Sequence, residues 1–305
     1  MFDQIVVVDW SANSTPKRGS DSIWVAVAEG DRVRTENLPT RHLAEQALGE
    51  IVDSDPLART LVGVDFSLGY PKGTAASLGL TDPPWKSMWS MLADKISDNE
   101  RNDNNRFAIA AALNDRISSS ASPFWGCPPS AAAATLGPRR PTNEAVLPEW
   151  RLVEKTLSAT GRRPFSSWQL LGAGCVGSQS LLGIPVLDRL GTRHRDRLAV
   201  WPFTTGLSRP DVARGRIVVA EVWPSLLTVP VGLGEVRDEA QVRVVAKWLM
   251  SLDACDRIGD LFAPSVPFDQ VSTIVGEEGW VLGAGVDAEL LQINPDRSVD
   301  LPGAV

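Results

Sequence analysis

Apolar runs that end on a carboxylate recur three times along the chain. They cover residues 5–9, 61–65 and 217–221, and the closing acids are Asp9, Asp65 and Glu221. Such runs are typical of strands that are buried on both faces in a parallel or mixed sheet. The first two continue alike, as Val-x-Val-Asp-aromatic-Ser, and the third is a looser copy. The pattern predicts three buried strands whose acids meet at one edge of a sheet.

A carboxylate that closes a strand has two interpretations. It can form a turn or cap the next helix, which needs no functional explanation. It can also belong to a site, because an acid at the end of an apolar strand is costly to desolvate without a partner or a metal. For one acid the two alternatives are about equally good. The threefold occurrence favours a carboxylate cluster.

The segment between the first two acids predicts the start of a mixed sheet. Residues 22–28 and 32–38 have strand patterns and are joined by the turn residues Gly30 and Asp31. A helix is predicted over residues 41–52, with Thr40 as its N-cap and apolar residues along one face. The predicted order is therefore strand, strand, strand, helix, strand, with the first three strands antiparallel.

Residues 70–215 do not continue this alternation. Helices are predicted over residues 86–96, 104–117 and 143–157, the last despite Pro148, and a short strand over 198–203. Residues 122–141 are rich in Pro, Ala and Gly and predict an irregular loop. No linker composition marks a domain boundary. We therefore expect one α/β domain over residues 1–305, with a largely helical insertion between the fourth and fifth strands and outside the sheet.

A fourth acid begins a clear helical pattern after the insertion. Asp238 stands at the start of a helix predicted over residues 238–252. It either stabilises the positive end of that helix or points back to the same sheet edge as the other acids. Further on, Glu277 and Glu278 resemble the start of a short helix, where surface charge is the simpler interpretation, and their role stays open.

Composition and charge restrict the chemistry. Two His and three widely spaced Cys give little support to histidine-centred catalysis, a disulfide framework or a cysteine zinc site. The net charge is −7, yet residues 137–216 carry 13 basic and 6 acidic side chains, a balance of +7. That segment permits an anionic substrate, and a solvated arginine-rich surface is an equal alternative. No signal peptide or membrane span is evident, so a cytoplasmic protein with no membrane partner is expected.

The sequence Gly172-Ala173-Gly174-Cys175-Val176-Gly177 matches the glycine fingerprint of dinucleotide sites. The match is weak, because the residues before it make a poor buried strand and no pair of parallel strands surrounds it. We expect these glycines to allow a tight turn or close helix packing rather than to bind a nucleotide.

The acid motifs and the order of the elements together resemble the ribonuclease H-like fold. In more detail the chain is similar to a family of uncharacterised prokaryotic proteins, predicted nucleases of that fold with no established function. The resemblance rests on the following segments: residues 8–11, 63–67, 220–225, 238–242, 168–183 and 277–280. The fold by itself does not establish activity.

The resemblance implies a site made of Asp9, Asp65, Glu221 and Asp238. Ligands with oxygen donors favour Mg²⁺ or Mn²⁺ over zinc. Two such ions can serve phosphodiester hydrolysis without a histidine. The expected function is therefore metal-dependent phosphodiester hydrolysis, with nucleic acid or another phosphodiester as the partner.

Two other functions stay open, so whether the chain is an enzyme is not decided by its sequence. The first is a small-molecule phosphotransferase of the actin-like kinase type, which would need a second core and a phosphate loop that the sequence does not display. The second is a non-catalytic binding protein whose acids serve as caps and turns. Oligomeric state and substrate are not readable from the sequence.

Overall fold

A computed structural model describes residues 1–81, 83–140, 142, 146–172, 174–286 and 288–292. Within these residues the chain forms a mixed α/β fold around a six-stranded sheet. The strands are β1 (Gln4–Asp9), β2 (Ile23–Glu29), β3 (Arg32–Leu38), β4 (Thr60–Val64), β5 (Leu198–Val200) and β6 (Ile217–Glu221). The helices are α1 (Arg41–Ser54), α2 (Thr74–Ser77), α3 (Pro84–Lys95), α4 (Arg106–Ser118), α5 (Leu152–Ala159), α6 (Gly177–Arg193), α7 (Arg237–Ala254), α8 (Ile258–Leu261) and α9 (Phe268–Thr273).

The sheet has the strand order β3-β2-β1-β4-β6-β5. β1, β2 and β3 form an antiparallel meander, whereas β4 is parallel to β1, and β6 is parallel to both β4 and β5. The meander and the helix that follows it confirm the expectation from the sequence, and the strand order places β1 and β4 at the centre of the sheet. α1 begins after Thr40, whose hydroxyl accepts a hydrogen bond from the N–H of Leu43.

The two faces of the sheet carry two separate hydrophobic cores. Val6 and Val8 of β1 belong to a first core that is completed by α1, α3, α4 and α6. Ile5 and Val7 belong to a second core that is completed mainly by α7 and α8. Because side chains alternate between the faces of a strand, burial on both sides explains the continuous apolar runs of β1, β4 and β6.

The insertion is largely helical, and it also supplies a strand. α2 to α6 lie within residues 70–215, but β5 pairs with β6 and forms one edge of the sheet. The expectation that the whole insertion lies outside the sheet is therefore wrong at this strand. The apolar run at residues 198–200 is buried by joining the sheet edge.

Two helices of the insertion differ from the sequence prediction. α5 begins at Leu152, so the prediction of a helix that runs through Pro148 is wrong. Pro148 lies before α5 in non-helical chain, because proline lacks the backbone N–H that a helix interior needs. Residues 143–145 are outside the described part. α6 was not predicted, because its first turn follows a glycine-rich segment and Pro185 interrupts its pattern. No helix in the described residues is long and apolar enough to cross a membrane.

Candidate functional site

Asp9 and Asp65 lie side by side at the ends of two adjacent parallel strands. The register pairs Val8 of β1 with Val64 of β4, so that the residue after each pair is an aspartate. The Asp65 N–H donates to the Val8 carbonyl at 3.2 Å and continues the ladder to this point. Both side chains are partly buried and lie on the face of the sheet that α7 covers. The strand register therefore brings these two acids together, as the sequence pattern predicts.

The two carboxyl groups are close enough to share a hydrogen bond, and their pKa values reflect this. Burial, followed by the charge of Asp65 and the hydrogen bond to it, raises the pKa of Asp9 well above its usual range. Burial also raises the pKa of Asp65 to about 6, while hydrogen bonds from Asp9 and from the Trp10 N–H oppose that rise. The Trp10 N–H lies 2.7 Å from Oδ1 of Asp65. Burial and the proximity of the two carboxyl groups therefore make the pair hold a proton to a higher pH than an isolated aspartate would.

Asp238 brings a third carboxylate close to the pair. It lies in the first turn of α7, which packs across β1 and β2, and its charge contributes to the raised pKa of Asp9. Oδ2 of Asp238 accepts the backbone N–H of Asp21 at 2.7 Å. Burial raises the pKa of Asp238, and the hydrogen bond from Asp21 opposes the shift. Asp238 therefore acts on Asp9 through space, in addition to any effect on the helix end.

Asp21 is an exposed acid on the rim of the site that the sequence analysis missed. It belongs to the loop between β1 and β2, and its charge also contributes to the raised pKa of Asp9. Its carboxylate forms an ion pair with Lys17 at 3.1 Å. No sequence signal distinguishes Asp21 from other loop acids, because only the folded loop brings it to the end of β1.

A buried arginine holds the loop that follows Asp9. Arg41, at the start of α1, donates from Nη1 to the carbonyls of Ser11 and Asn13 at 3.0 and 2.7 Å. Its Nη2 donates to Asp98 at 2.8 Å and to the carbonyl of Asn102 at 3.0 Å. The first turn of α1 and the insertion thus fix the chain immediately beyond Asp9.

Glu221 is placed on the other face of the sheet, away from the aspartate pair. The register pairs Glu221 with Val64, so Val222, and not Glu221, is level with Asp65. Ile217 and Val219, which share its face, belong to the first core. Because side chains alternate along a strand, an offset of one residue moves the acid to the opposite face. The repeated motif predicts that Glu221 joins Asp9 and Asp65. The structure shows that this prediction is wrong for Glu221, which lies on the opposite face of the sheet.

Glu221 is instead neutralised by Arg151, which precedes α5. Arg151 donates from Nη2 and Nη1 to the two carboxylate oxygens of Glu221 at 2.6 and 2.8 Å. Nη2 of the same guanidinium donates to Glu154 at 2.6 Å, and Nη1 donates to the Glu278 carbonyl at 2.9 Å. Burial raises the pKa of Glu154, and Arg151 opposes this shift. The arrangement is a buried ion network that joins the insertion to β6.

Glu277 and Glu278 end a helical segment rather than begin one. α9 passes into a single π-helical turn at Ile274–Glu278, and the chain then turns at Gly279. Glu278 is buried and accepts the N–H groups of Lys72 and Leu152 at 2.8 and 2.6 Å. Glu277 accepts the N–H groups of Gly73 and Ala75, both at 2.9 Å. The interpretation of both acids as surface charge is therefore wrong, because they accept hydrogen bonds from backbone N–H groups of the insertion.

The glycine-rich segment leads into the N-terminus of α6. Gly174 has a positive φ of 73°, and Gly177 is the first residue of the helix. A Cβ on Gly177 would lie 2.5 Å from the carbonyl oxygen of Gln169, so close backbone packing requires glycine there. The preceding residues make only an isolated bridge between Gln169 and Trp125 instead of a strand of the sheet. This agrees with the expectation of a tight turn and helix packing.

Asp9 and Asp65 are the best-placed residues for a metal ion. Among the residues that the structure describes, no three His, Cys, Asp or Glu side chains are arranged so that they could hold one. The aspartate pair can supply two oxygen ligands, and Asp238 and Asp21 add negative potential at longer range. Two direct carboxylates are a common protein contribution to a hydrated Mg²⁺ site.

Comparison with known proteins adds no relative. No protein-family model, curated protein or solved structure matches this chain. Its function is therefore inferred from the residues of its own site.

Proposed function

We propose that this protein is a metal-dependent phosphodiesterase whose ion binds at Asp9 and Asp65, on a sheet of the ribonuclease H-like type. The order of the meander, α1 and the parallel β4, with acids at the ends of β1 and β4, supports the fold assignment. The observation that carries the function is the pair of carboxyl groups at the end of two parallel strands, close enough to share a proton. We propose nucleic acid as the phosphodiester partner.

The position between the two carboxyl groups, which favours a proton, is also favourable for a metal cation. Two carboxylates in contact repel each other unless a proton or a positive ion lies between them. Asp9 and Asp65 would hold a hard divalent ion such as Mg²⁺ or Mn²⁺ in place of that proton, because such ions prefer oxygen ligands. Such an ion supplies Lewis-acid polarisation of a phosphoryl oxygen and activates a water for attack. Since Glu221 is held by Arg151, the pair supports one directly bound ion rather than the two expected from four acids.

The protein's own residues contribute position and electrostatics. The Trp10 N–H and the β-ladder fix the carboxylate of Asp65, and Arg41 fixes the loop after Asp9. Asp238 and Asp21 make the potential at the pair more negative, which favours any positive charge there and favours a divalent ion more than a singly charged proton. An anionic substrate would then be attracted by the bound ion rather than by this acidic edge.

A calorimetric titration with Mn²⁺ tests the ion site. It compares the wild type with Asp65→Asn and uses Asp31→Asn as the matched control. Asp31 is an exposed acid in the turn between β2 and β3. The wild type and Asp31→Asn should bind Mn²⁺ alike, and Asp65→Asn should bind it at least about tenfold more weakly, a difference of about 1.4 kcal/mol. Hydrolysis of bis(p-nitrophenyl) phosphate, a general phosphodiester, should follow the same order. Equal binding by all three proteins would refute the site. Binding without hydrolysis of this ester or of oligonucleotides would leave a non-catalytic binding protein.

A further inference from the structure

The two edges of the sheet differ in whether their backbone groups already have partners. At the β5 edge, the N–H of Leu198 donates to the His194 carbonyl at 2.8 Å. The N–H of Val200 donates to Oγ1 of Thr204 at 2.9 Å, so neighbouring chain occupies this edge. β3 forms the other edge, and among the described residues it pairs only with β2. An uncovered strand edge can pair with a further strand.

The register of β3 shows which of its backbone groups are free. Glu29 and Arg32 flank a turn of two residues, so they form a hydrogen-bonded pair of the antiparallel ladder. Every second residue from Arg32 onward therefore bonds to β2. The same alternation follows from β1, whose Val8 carbonyl accepts a hydrogen bond from β4 and thus faces away from β2. The N–H and C=O groups of Val33 and Thr35 therefore point to the open edge.

The open part of this edge covers residues 32–36. Among the described residues, none forms a hydrogen bond with the outward N–H and C=O groups of Val33 and Thr35. Beyond them, the Arg18 guanidinium donates to the carbonyl of Asn37, which marks the end of the open edge. Oγ1 of Thr35 donates to Glu239 of α7 at 2.8 Å, so α7 covers one face of β3 without covering its edge.

The other face of β3 carries charges that have no partner in the described chain. Arg34 and Glu36 are exposed and lie opposite Val27 and Val25 of β2. Neither side chain forms an ion pair with another described residue. An arginine and a glutamate two residues apart on one face make a strand complementary in charge to an antiparallel copy of itself.

We propose that β3 pairs with β3 of a second copy of this chain, in an antiparallel dimer centred on Thr35. In this register Thr35 exchanges two backbone hydrogen bonds with the partner's Thr35. Arg34 then lies opposite the partner's Glu36, and Glu36 lies opposite the partner's Arg34. Both are non-hydrogen-bonded positions, where Cα atoms are about 4.5 Å apart and side chains approach most closely. One interface therefore contains two reciprocal ion pairs.

Charge selects this register over its neighbours. The outward groups of one copy must face outward groups of the other, so the register can shift only by one residue in its centre at a time. A centre at Arg34 or Glu36 places like charges directly opposite each other, and a centre at Val33 sets Arg32 against Arg34. Like charges in these positions destabilise a strand pair. The centre at Thr35 pairs opposite charges and opposes no like ones.

The dimer joins two sheets through their β3 edges and is independent of the proposed function. β1 and β3 run in the same direction, because each is antiparallel to β2. The aspartate pairs of the two copies therefore point in opposite directions along the strands of the joined sheet, and each site is complete within one chain. Pairing of one strand buries a small area, so we expect a weak dimer that forms at high protein concentration.

Sedimentation equilibrium at low salt, over protein concentrations up to about 1 mM, tests this proposal. The variants are Arg34→Glu, Glu36→Arg and the double exchange of both. The matched control is Arg195→Glu, an exposed arginine before the opposite edge strand that undergoes the same change of charge. We expect Arg34→Glu and Glu36→Arg each to weaken the dimer at least about tenfold, because both attractive pairs become repulsive. The control should dimerise like the wild type.

The double exchange and a mixture of the single variants test the register itself. The double variant again sets a glutamate opposite an arginine, so its dimer should be as stable as that of the wild type. An equimolar mixture of Arg34→Glu and Glu36→Arg should form a heterodimer, because one copy carries two acids and the other two arginines at these positions. The two expected recoveries also show that the single variants are folded.

Three outcomes would overturn the proposal. A wild type that remains monomeric throughout the concentration series would show that β3 does not pair with a second copy. A dimer that none of the β3 variants weakens would lie on another surface. Equal weakening by Arg34→Glu and Arg195→Glu, or no recovery in the double variant and the mixture, would show that overall charge and not this register governs association.

Discussion

Replacing Asp9 by Asn tests whether burial and the neighbouring carboxylate favour the protonated form of the aspartate pair in the protein without a bound ion. Asn keeps the shape of the side chain and can donate a hydrogen bond to Asp65, but it is neutral at every pH. In the wild type the folded-state pKa of Asp9 is raised well above 3.8. The stability that Asp9 contributes is therefore fully present below pH 3.8 and is lost as the pH rises toward the folded-state pKa.

The expected change in the free energy of unfolding follows from the cost of keeping the Asp9 carboxyl group neutral in the folded protein. Keeping a carboxyl group with an unfolded pKa near 3.8 neutral at pH 7 costs at most about 4 kcal/mol, at 1.36 kcal/mol for each pH unit. Asp9 is partly exposed, so solvent screening reduces this limit. We expect Asp9→Asn to stabilise the apo protein by about 2 kcal/mol at pH 7 and by much less at pH 5. Asp65, whose pKa is about 6, still makes the stability of the variant depend on pH below that value.

Urea unfolding at pH 5 and pH 7 measures the effect, with and without Mn²⁺, and Asp31→Asn serves as the exposed control. The advantage of Asp9→Asn over the wild type should grow with pH in the apo protein. It should shrink or reverse with Mn²⁺, because an ion that binds only the folded wild type stabilises it. The control should follow the wild type throughout. An Asp9→Asn protein with an unchanged pH profile, or one less stable than the wild type at pH 7, would refute the shared-proton reasoning.

Two further substitutions test the packing around the site. Arg151→Met leaves Glu154 and Glu221 buried without their cation, so we expect a loss of about 3–5 kcal/mol in urea unfolding. That loss should be larger at pH 8 than at pH 5, because Glu154, whose pKa burial raises, loses the guanidinium that opposes this shift, and a raised folded-state pKa makes stability fall as pH rises. A deficit independent of pH would contradict the network. Gly183→Ala places a Cβ 2.3 Å from Cζ of Phe66 and should cost at least about 1–3 kcal/mol by calorimetry, with a neutral effect arguing against the close approach of α6.

Local patterns along the chain predicted the first half of the sheet. The apolar runs of β1 and β4 are legible because both faces of these strands are buried, and Thr40 marks the start of α1 by a simple cap. Asp9 and Asp65 meet because the two strands have nearly the same sequence and pair in register. Periodicity, capping and strand direction are local properties, so they can be read without a structure.

Local sequence patterns are enough to show that acids close three buried strands, whereas the folded chain is needed to show which of these acids share a site. Glu221 pairs with Val64 rather than with Asp65, and this offset of one residue turns its side chain to the other face. No local pattern encodes that offset, because register between β4 and β6 depends on how the insertion packs. The same packing supplies Arg151 to Glu221. Side chains alternate between the two faces of a strand. Similar sequences at the strand ends therefore predict that an acid is present, but the strand register decides which face of the sheet that acid lies on.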